Sequence, residues 1–214
     1  MQPRPLLTRM EDEHCRALRQ QLKQVYCVFD FVVLAVEAEA EVDQALHRQG
    51  LQHLYLQLMA ERRERWEILR QDPRYADVGL TSMRWEQERA VPEALGQEQV
   101  RQLVCENLEP QEWALFQAFY DPPYGTQFPG GIEQARQAFG HWLQVLGLDP
   151  AEGPHVINWV GNLELDFLAP DMGPHLLPWS DYFDEGLEWW GVWCLTVWNP
   201  VRRTLSVLAA SATD

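Results

Sequence analysis

Val192-Trp-Cys-Leu-Thr-Val-Trp198, Asn199-Pro-Val-Arg-Arg203 and Thr204-Leu-Ser-Val-Leu-Ala-Ala210 are the stretch on which the fold turns. Two runs rich in β-branched and aromatic residues flank a short segment holding Asn and Pro, which is the pattern of a β-hairpin. Side chains alternate across a strand, so Trp193, Leu195 and Val197 share one face. A second, shorter strand is expected at His155-Val-Ile-Asn-Trp-Val160, and Leu163 to Phe167 alternates apolar residues with Glu164 and Asp166. Residues 169–180 read as a proline-containing loop.

Upstream the period changes. Leu18, Leu22, Val25, Phe29, Val32, Val33 and Val36 recur at three- and four-residue intervals with no Gly or Pro among them, which predicts a helix from Met10 to about Gln49. Within it, the β-branched run Tyr26 to Val36 is the one place where a buried strand between two helices is the alternative to the favoured helix, since a short apolar run has no decisive period. Gly50 punctuates the chain. Leu51, Leu54, Tyr55, Leu58, Met59, Arg62, Trp66 and Leu69 then predict a second amphipathic helix. Glu61, Glu64 and Glu67 alternate with Arg62, Arg63, Arg65 and Arg70 on its solvated face. Asp72-Pro73 ends it, and residues 73–96 form a loop-rich connection with a short helix around Met83–Arg89.

Further helices are expected over Gln97–Asn107, over Glu109–Tyr120 with Pro110 at its first position, and over Ile132–Leu146 with Gly147 as its stop. Prolines and glycines make Asp121–Gly131 irregular, so Tyr124 and Phe128 serve there either as a binding element or as packing onto the core. The expectation is an α+β protein. Its helical N-terminal two thirds (about 10–148) precede a small antiparallel sheet with a C-terminal hairpin (about 154–214), in one domain spanning 1–214.

Apolar residues make up 46% and charged residues 23% of the 214, which excludes a disordered or fibrous chain. The N-terminus lacks the apolar core of a secretory signal, and the longest apolar run, Phe31–Val36, is too short to cross a bilayer. A cytoplasmic location with no membrane partner follows as an expectation. Cys15, Cys27, Cys105 and Cys194 form no Cys-x-x-Cys pair, and they read as structural thiols.

Charge is unevenly spread. Of the net −15, residues 1–107 carry −4 and residues 108–214 carry −11. A field of that sign disfavours nucleic acid and favours a basic partner or a cationic ligand.

Glu164, Asp166, Asp171, Asp181, Asp184, Glu185 and Glu188 stand among aromatic residues, where paired carboxylates can serve as general acid and base on a sugar-like substrate. His155 and His175 flank two of them, yet no His-x-His or His-x-x-x-His pair marks a metal site. Motifs for a nucleophilic serine, a phosphate-binding loop or a dinucleotide fold are missing, so no cofactor is implied. In Trp189-Trp190-Gly-Val-Trp193, adjacent strand residues face opposite ways, which would leave one indole at the surface unless a loop or helix covers it. An exposed indole bordered by carboxylates suits a basic protein surface.

Tyr182-Phe183, Gly186, Glu188-Trp-Trp-Gly191, Thr196-Val-Trp-Asn-Pro200 and Ala210-Ser-Ala-Thr-Asp214 resemble the ending of a group of small bacterial proteins of unassigned function. Some of these are similar to the acidic immunity proteins that neutralise toxins. The resemblance covers the last 34 residues only and implies a bacterial cytosolic, toxin-binding role without any catalytic residue. The expected contact set is Asp181, Tyr182, Asp184, Glu185, Glu188, Trp189 and Trp190, assisted by Tyr124. In it an indole supplies the apolar anchor and the carboxylates pair with Lys or Arg of a basic protein. A hydrolase using the carboxylates of 164–188 in an aromatic-lined cleft is the alternative.

Overall fold

We describe residues 6–106, 114–122, 127–161, 178–188 and 191–212 of a computed structural model, leaving aside the side chains of Glu185 and Glu188. The Tyr26–Val36 run resolves as a strand. β2 (Asp30–Val36) lies between α1 (Glu13–Gln24) and α2 (Gln44–Leu69), so the continuous helix expected over 10–49 does not form.

The reason is a helix stop with no glycine in it. Asp12 caps the start of α1, its carboxylate accepting from the Cys15 amide at 2.7 Å. At the other end the Tyr26 amide donates to the Lys23 carbonyl at 3.2 Å and the Cys27 amide to the Leu22 carbonyl at 3.0 Å. This is the Schellman arrangement, which requires a left-handed residue just past the helix. Tyr26 supplies it with φ of 56°, where glycine is the usual occupant. Helix α5 (Gly131–Leu146) ends in the same way, with Gly147 at φ of 72°.

β2 pairs antiparallel with β6 (Thr204–Ala212), Phe31 opposite Leu208 and Val33 opposite Ser206. β6 pairs with β5 (Gly191–Asn199) in the expected hairpin. β1 (Leu7–Arg9) extends the sheet beyond β2, while β4 (His155–Asn158) and β3 (Glu93–Ala94) extend it beyond β5. The order is β1-β2-β6-β5-β4-β3. The protein is α+β, but strands occur at both ends of the chain rather than after the helices.

Both faces of this sheet are covered. On one, Phe29, Phe31, Val33, Leu195, Val197, Leu208 and Ala210 meet α1, α3 (Gln97–Leu103), α4 (Leu115–Tyr120) and α5, with Trp142 of α5 fully buried among Phe29, Phe31, Phe119 and Phe139. Trp193, Leu195 and Val197 do share this face, and Phe128 packs into it. On the other face, Val32, Leu34, Val36, Cys194, Trp198, Leu205, Val207 and Ala209 meet the first half of α2. There Gly50, inside α2 rather than between two helices, lets the backbone approach the sheet. A β-carbon at this position would stand 3.1 Å from both Leu205 and Val207.

A polar tie joins α2 to the sheet. Buried His47 places Nδ1 2.7 Å from the Thr196 hydroxyl, which also accepts from the Trp159 indole at 2.8 Å. The cysteines Cys15, Cys27, Cys105 and Cys194 are free, and burial pushes the Cys15 and Cys27 thiols up to about 11 and about 12, away from reactivity.

A non-glycine residue held left-handed costs about 1 kcal/mol, and Tyr26 is 73% exposed, so it returns little packing. Tyr26→Gly should therefore stabilise the protein by roughly 1 kcal/mol, raising Tm by about 2–4 °C in thermal unfolding. An unchanged or lower Tm would show that the α1 stop carries no strain.

Candidate functional site

Buried residues of α2 stop at Leu58, although the helix runs on for eleven more. Its second half overhangs the sheet. The chain turns back through Pro73–Tyr75, a single 3₁₀ turn capped by Asp72, and returns beneath the overhang. The Trp66 indole donates to the Val78 carbonyl at 2.7 Å and Arg62 to the Thr81 carbonyl at 3.5 Å, which holds the returning strand of loop alongside the helix.

Residues 84–86 then clamp the start of the acidic segment. Trp85 bridges Ser180, the Glu86 amide donates to the Trp179 carbonyl at 2.8 Å, and the Arg84 guanidinium donates to the Pro178 carbonyl at 2.8 Å. Beneath the clamp Trp85, Trp179 and Phe183 pack edge to face or tilted, with ring centroids 4.7 to 6.5 Å apart. The Trp179 indole donates to the Trp159 carbonyl at 2.9 Å. These aromatic residues therefore anchor the segment to the core.

On that base sits a short 3₁₀ turn, Asp181–Phe183, capped by the Ser180 hydroxyl, and it runs into α6 (Asp184–Glu188). Gly186 abuts the end of the hairpin so closely that a β-carbon would lie 2.4 Å from the Gly191 carbonyl. Asp181 is exposed, and both its oxygens accept from the Arg84 amide at 3.1 Å. Asp184, also exposed, faces the Arg84 guanidinium at 4.0 Å. Tyr182 points the other way, its hydroxyl donating to the Asp30 carboxylate at 3.0 Å.

Of the residues expected to contact a partner, Asp181 and Asp184 thus lie together at the surface, while Tyr182 is turned inward onto β2. Glu185 and Glu188 belong to α6, but their side chains lie outside the description, and Trp189, Trp190 and Tyr124 lie outside the described residues. So do Glu164, Asp166, Asp171 and His175, the remaining members of the acidic and histidine constellations. Among the described residues no group of three or more His, Cys, Asp or Glu side chains is placed to hold a metal ion.

Asp181 and Asp184 form one end of a groove of about 690 Å³ between the α2 overhang and the returning loop. Arg62, Arg65, Trp66, Leu69, Tyr75 and Val78 line its remainder. Leu69 is 51% exposed and Val78 52%, with Ile68 at 63% beside them. Sequence reading missed these apolar residues. Leu69 fits the buried stripe of an amphipathic helix, and only the end of the sheet beneath it makes it a surface residue. Val78 lay in a loop with no pattern to flag it.

These features define a three-layer α+β protein, an antiparallel sheet between two helical layers, with an amphipathic surface groove. Comparison with protein-family models, curated proteins and solved structures finds no match. No helix among the described residues is long and apolar enough to cross a membrane.

Burial, with a contribution from Glu61, pushes the Asp30 carboxyl up to about 6, against the opposing effects of the Tyr182 hydrogen bond, Arg65 and Lys23. Burial and Asp30 together hold the Tyr182 phenol well above its ordinary value. A carboxyl with a raised folded pKa binds its proton more tightly in the folded state. Its contribution is therefore present below about pH 4 and is lost as pH rises through about 6. Asp30→Asn should remove that loss, leaving the variant on the order of 2 kcal/mol more stable relative to wild type at pH 7 than at pH 4. Urea unfolding of both proteins from pH 4 to 7 measures it, and a difference independent of pH would mean that Asp30 is ionised throughout. The comparison with wild type is essential, because His47, pushed down to about 4 mainly by burial, changes stability in the opposite sense over the same range.

Proposed function

We propose that the protein acts by stoichiometric binding of a basic protein, through the groove that runs from the α2 overhang to Asp181 and Asp184. The observation that carries this reading is the exposure of Leu69, Val78 and the half-buried Trp66 in a concave surface whose end bears two carboxylates. An apolar centre with a charged rim is the anatomy of a protein interface. The net charge of −15 supports a basic partner, since it accelerates encounter with a positively charged surface at low salt. The resemblance of residues 181–214 to proteins similar to toxin-immunity proteins directs the reading to an immunity-type inhibitor in a bacterial cytosol, acting by occlusion.

Arg62 and Arg65 also line the groove, so the partner's basic side chains would dock at Asp181 and Asp184 and an apolar side chain against Trp66, Leu69 and Val78. A hydrolase draws no comparable support. Asp181 and Asp184 both pair with groups of Arg84, and Asp30 and Glu61, the carboxylates that act on one another, do not line this groove.

A bound protein recovered from cell lysate, purified and titrated by calorimetry, should give 1:1 stoichiometry with the wild type. Leu69→Asp with Val78→Asp should weaken it at least about tenfold, the loss expected when an apolar anchor is removed from an interface. Asp184→Lys with Glu185→Lys should slow association several-fold and flatten its salt dependence. Val201→Asp, at the opposite end of the hairpin, should leave binding unchanged. If the first double variant binds as wild type does, or if no 1:1 partner is retained, the reading fails.

A further inference from the structure

A second cavity, of about 470 Å³, lies at the other margin of the sheet, where β3 and β4 meet the first turn of α2. Its volume is that of a small-molecule site, and most of its wall is apolar, including Val42, Leu95, Val100, Val156 and Ile157. His47 forms part of the wall although only 4% exposed.

Hydrogen-bond accounting settles what this histidine offers. The Trp159 indole can only donate, so the Thr196 oxygen must accept from it. The Thr196 hydroxyl then needs an acceptor for its own proton, and the partner in reach is His47 Nδ1 at 2.7 Å. Nδ1 is therefore unprotonated and the ring proton resides on Nε2. Burial favours the neutral ring, in keeping with a pKa pushed down to about 4. Nε2 has no hydrogen-bond partner among the described residues, which leaves a fixed, neutral N–H donor at the cavity. Nε2 is not sealed from solvent, so an oxygen of a ligand in the cavity can reach it and accept its proton.

The surroundings select the ligand's charge. Asp43 lines the same cavity as the cap of α2, and the whole molecule is strongly acidic, both of which oppose an anion. Arg101, also in the wall, is already engaged by Glu98 at 2.8 Å. A cation would be drawn by Asp43 but would leave the His47 N–H without an acceptor. We propose that this cavity binds a small uncharged molecule carrying a carbonyl or amide oxygen beside an apolar group, the oxygen accepting from His47 Nε2 and the apolar part packing against Val100, Val156 and Ile157. The site is separate from the groove and stands whether or not the groove binds a protein.

Three probes of nearly the same shape test it: benzamide, benzoate and toluene, titrated separately into the intact ¹³C,¹⁵N-labelled protein and followed by NMR. Benzamide should shift the resonances of the His47 ring, Val156 and Ile157 with a Kd of about 1 mM or tighter. It should bind at least about fivefold more tightly than benzoate or toluene. His47→Leu should abolish the preference for benzamide over toluene. The ¹⁵N shifts of the His47 ring in the unmutated protein provide a readout that does not depend on the variant folding, and they should report a neutral ring protonated at Nε2. A Nδ1-protonated ring, equal binding of the three probes, a preference for benzoate, shifts confined to another surface, or no binding of benzamide at about 20 mM would each overturn the proposal.

Discussion

The pairing of β2 with β6 is the constraint on which the rest of the molecule depends. It joins segments at opposite ends of the chain, Asp30 opposite Ala209 through Ala35 opposite Thr204, and places them in the interior of a sheet covered on both faces. Closing so long a loop is entropically unfavourable, and the apolar surface buried on two sides offsets it. Phe31 and Val33 serve one helical layer while Val32 and Leu34 serve the other. A one-residue slip in this register would exchange the two sets and disrupt both cores together. Helix position follows from it, since α1 and α5 rest on one face and α2 on the other.

The acidic segment is held by aromatic packing and backbone hydrogen bonds rather than by its charges. Trp85, Trp179 and Phe183 form its base, and the strap of residues 84–86 pins its start. Asp181 and Asp184 remain at the surface beside Arg84, and the ion pair of its guanidinium with Asp184, in high dielectric, adds little to stability. Tyr182 is the exception among the charged and polar groups here, because its hydroxyl crosses to Asp30 on β2. That bond ties the segment to β2, the strand beside the edge strand β1. Asp30 near Glu61, and His47 of α2, are buried groups whose pKa values are shifted in opposite directions, so their effects on acid stability oppose one another.

Particular residues show why some of this was legible beforehand and some was not. The C-terminal hairpin was readable because alternation and the Asn199-Pro200 turn are local signals. Helix α5 was readable because Gly147 stands where its Schellman stop requires a left-handed residue. Helix α1 ends by the same geometry with Tyr26 in that place, and a tyrosine carries no stop signal. Gly50 misled in the opposite direction: it looks like a break, whereas in α2 it allows the helix to approach Leu205 and Val207. The apolar part of the groove eluded sequence reading, because Leu69 belongs to an apolar stripe and nothing local to it tells where the sheet beneath will end.

Sequence by itself determined the mixed α+β class, the hairpin, helix α5 and parts of α2 and α3, the charge asymmetry and the absence of familiar catalytic motifs. Each of those depends on composition or on neighbours within a turn or two. Tertiary structure decided that residues 30–36 form a central strand, that the sheet draws on both ends of the chain, and that Tyr182 turns inward while Asp181 and Asp184 stay outside. It also brought His47 and Trp159, residues remote in the chain, to the one hydroxyl oxygen of Thr196. Local propensity ranks conformations of a segment, but burial and hydrogen-bond pairing between distant segments select among them.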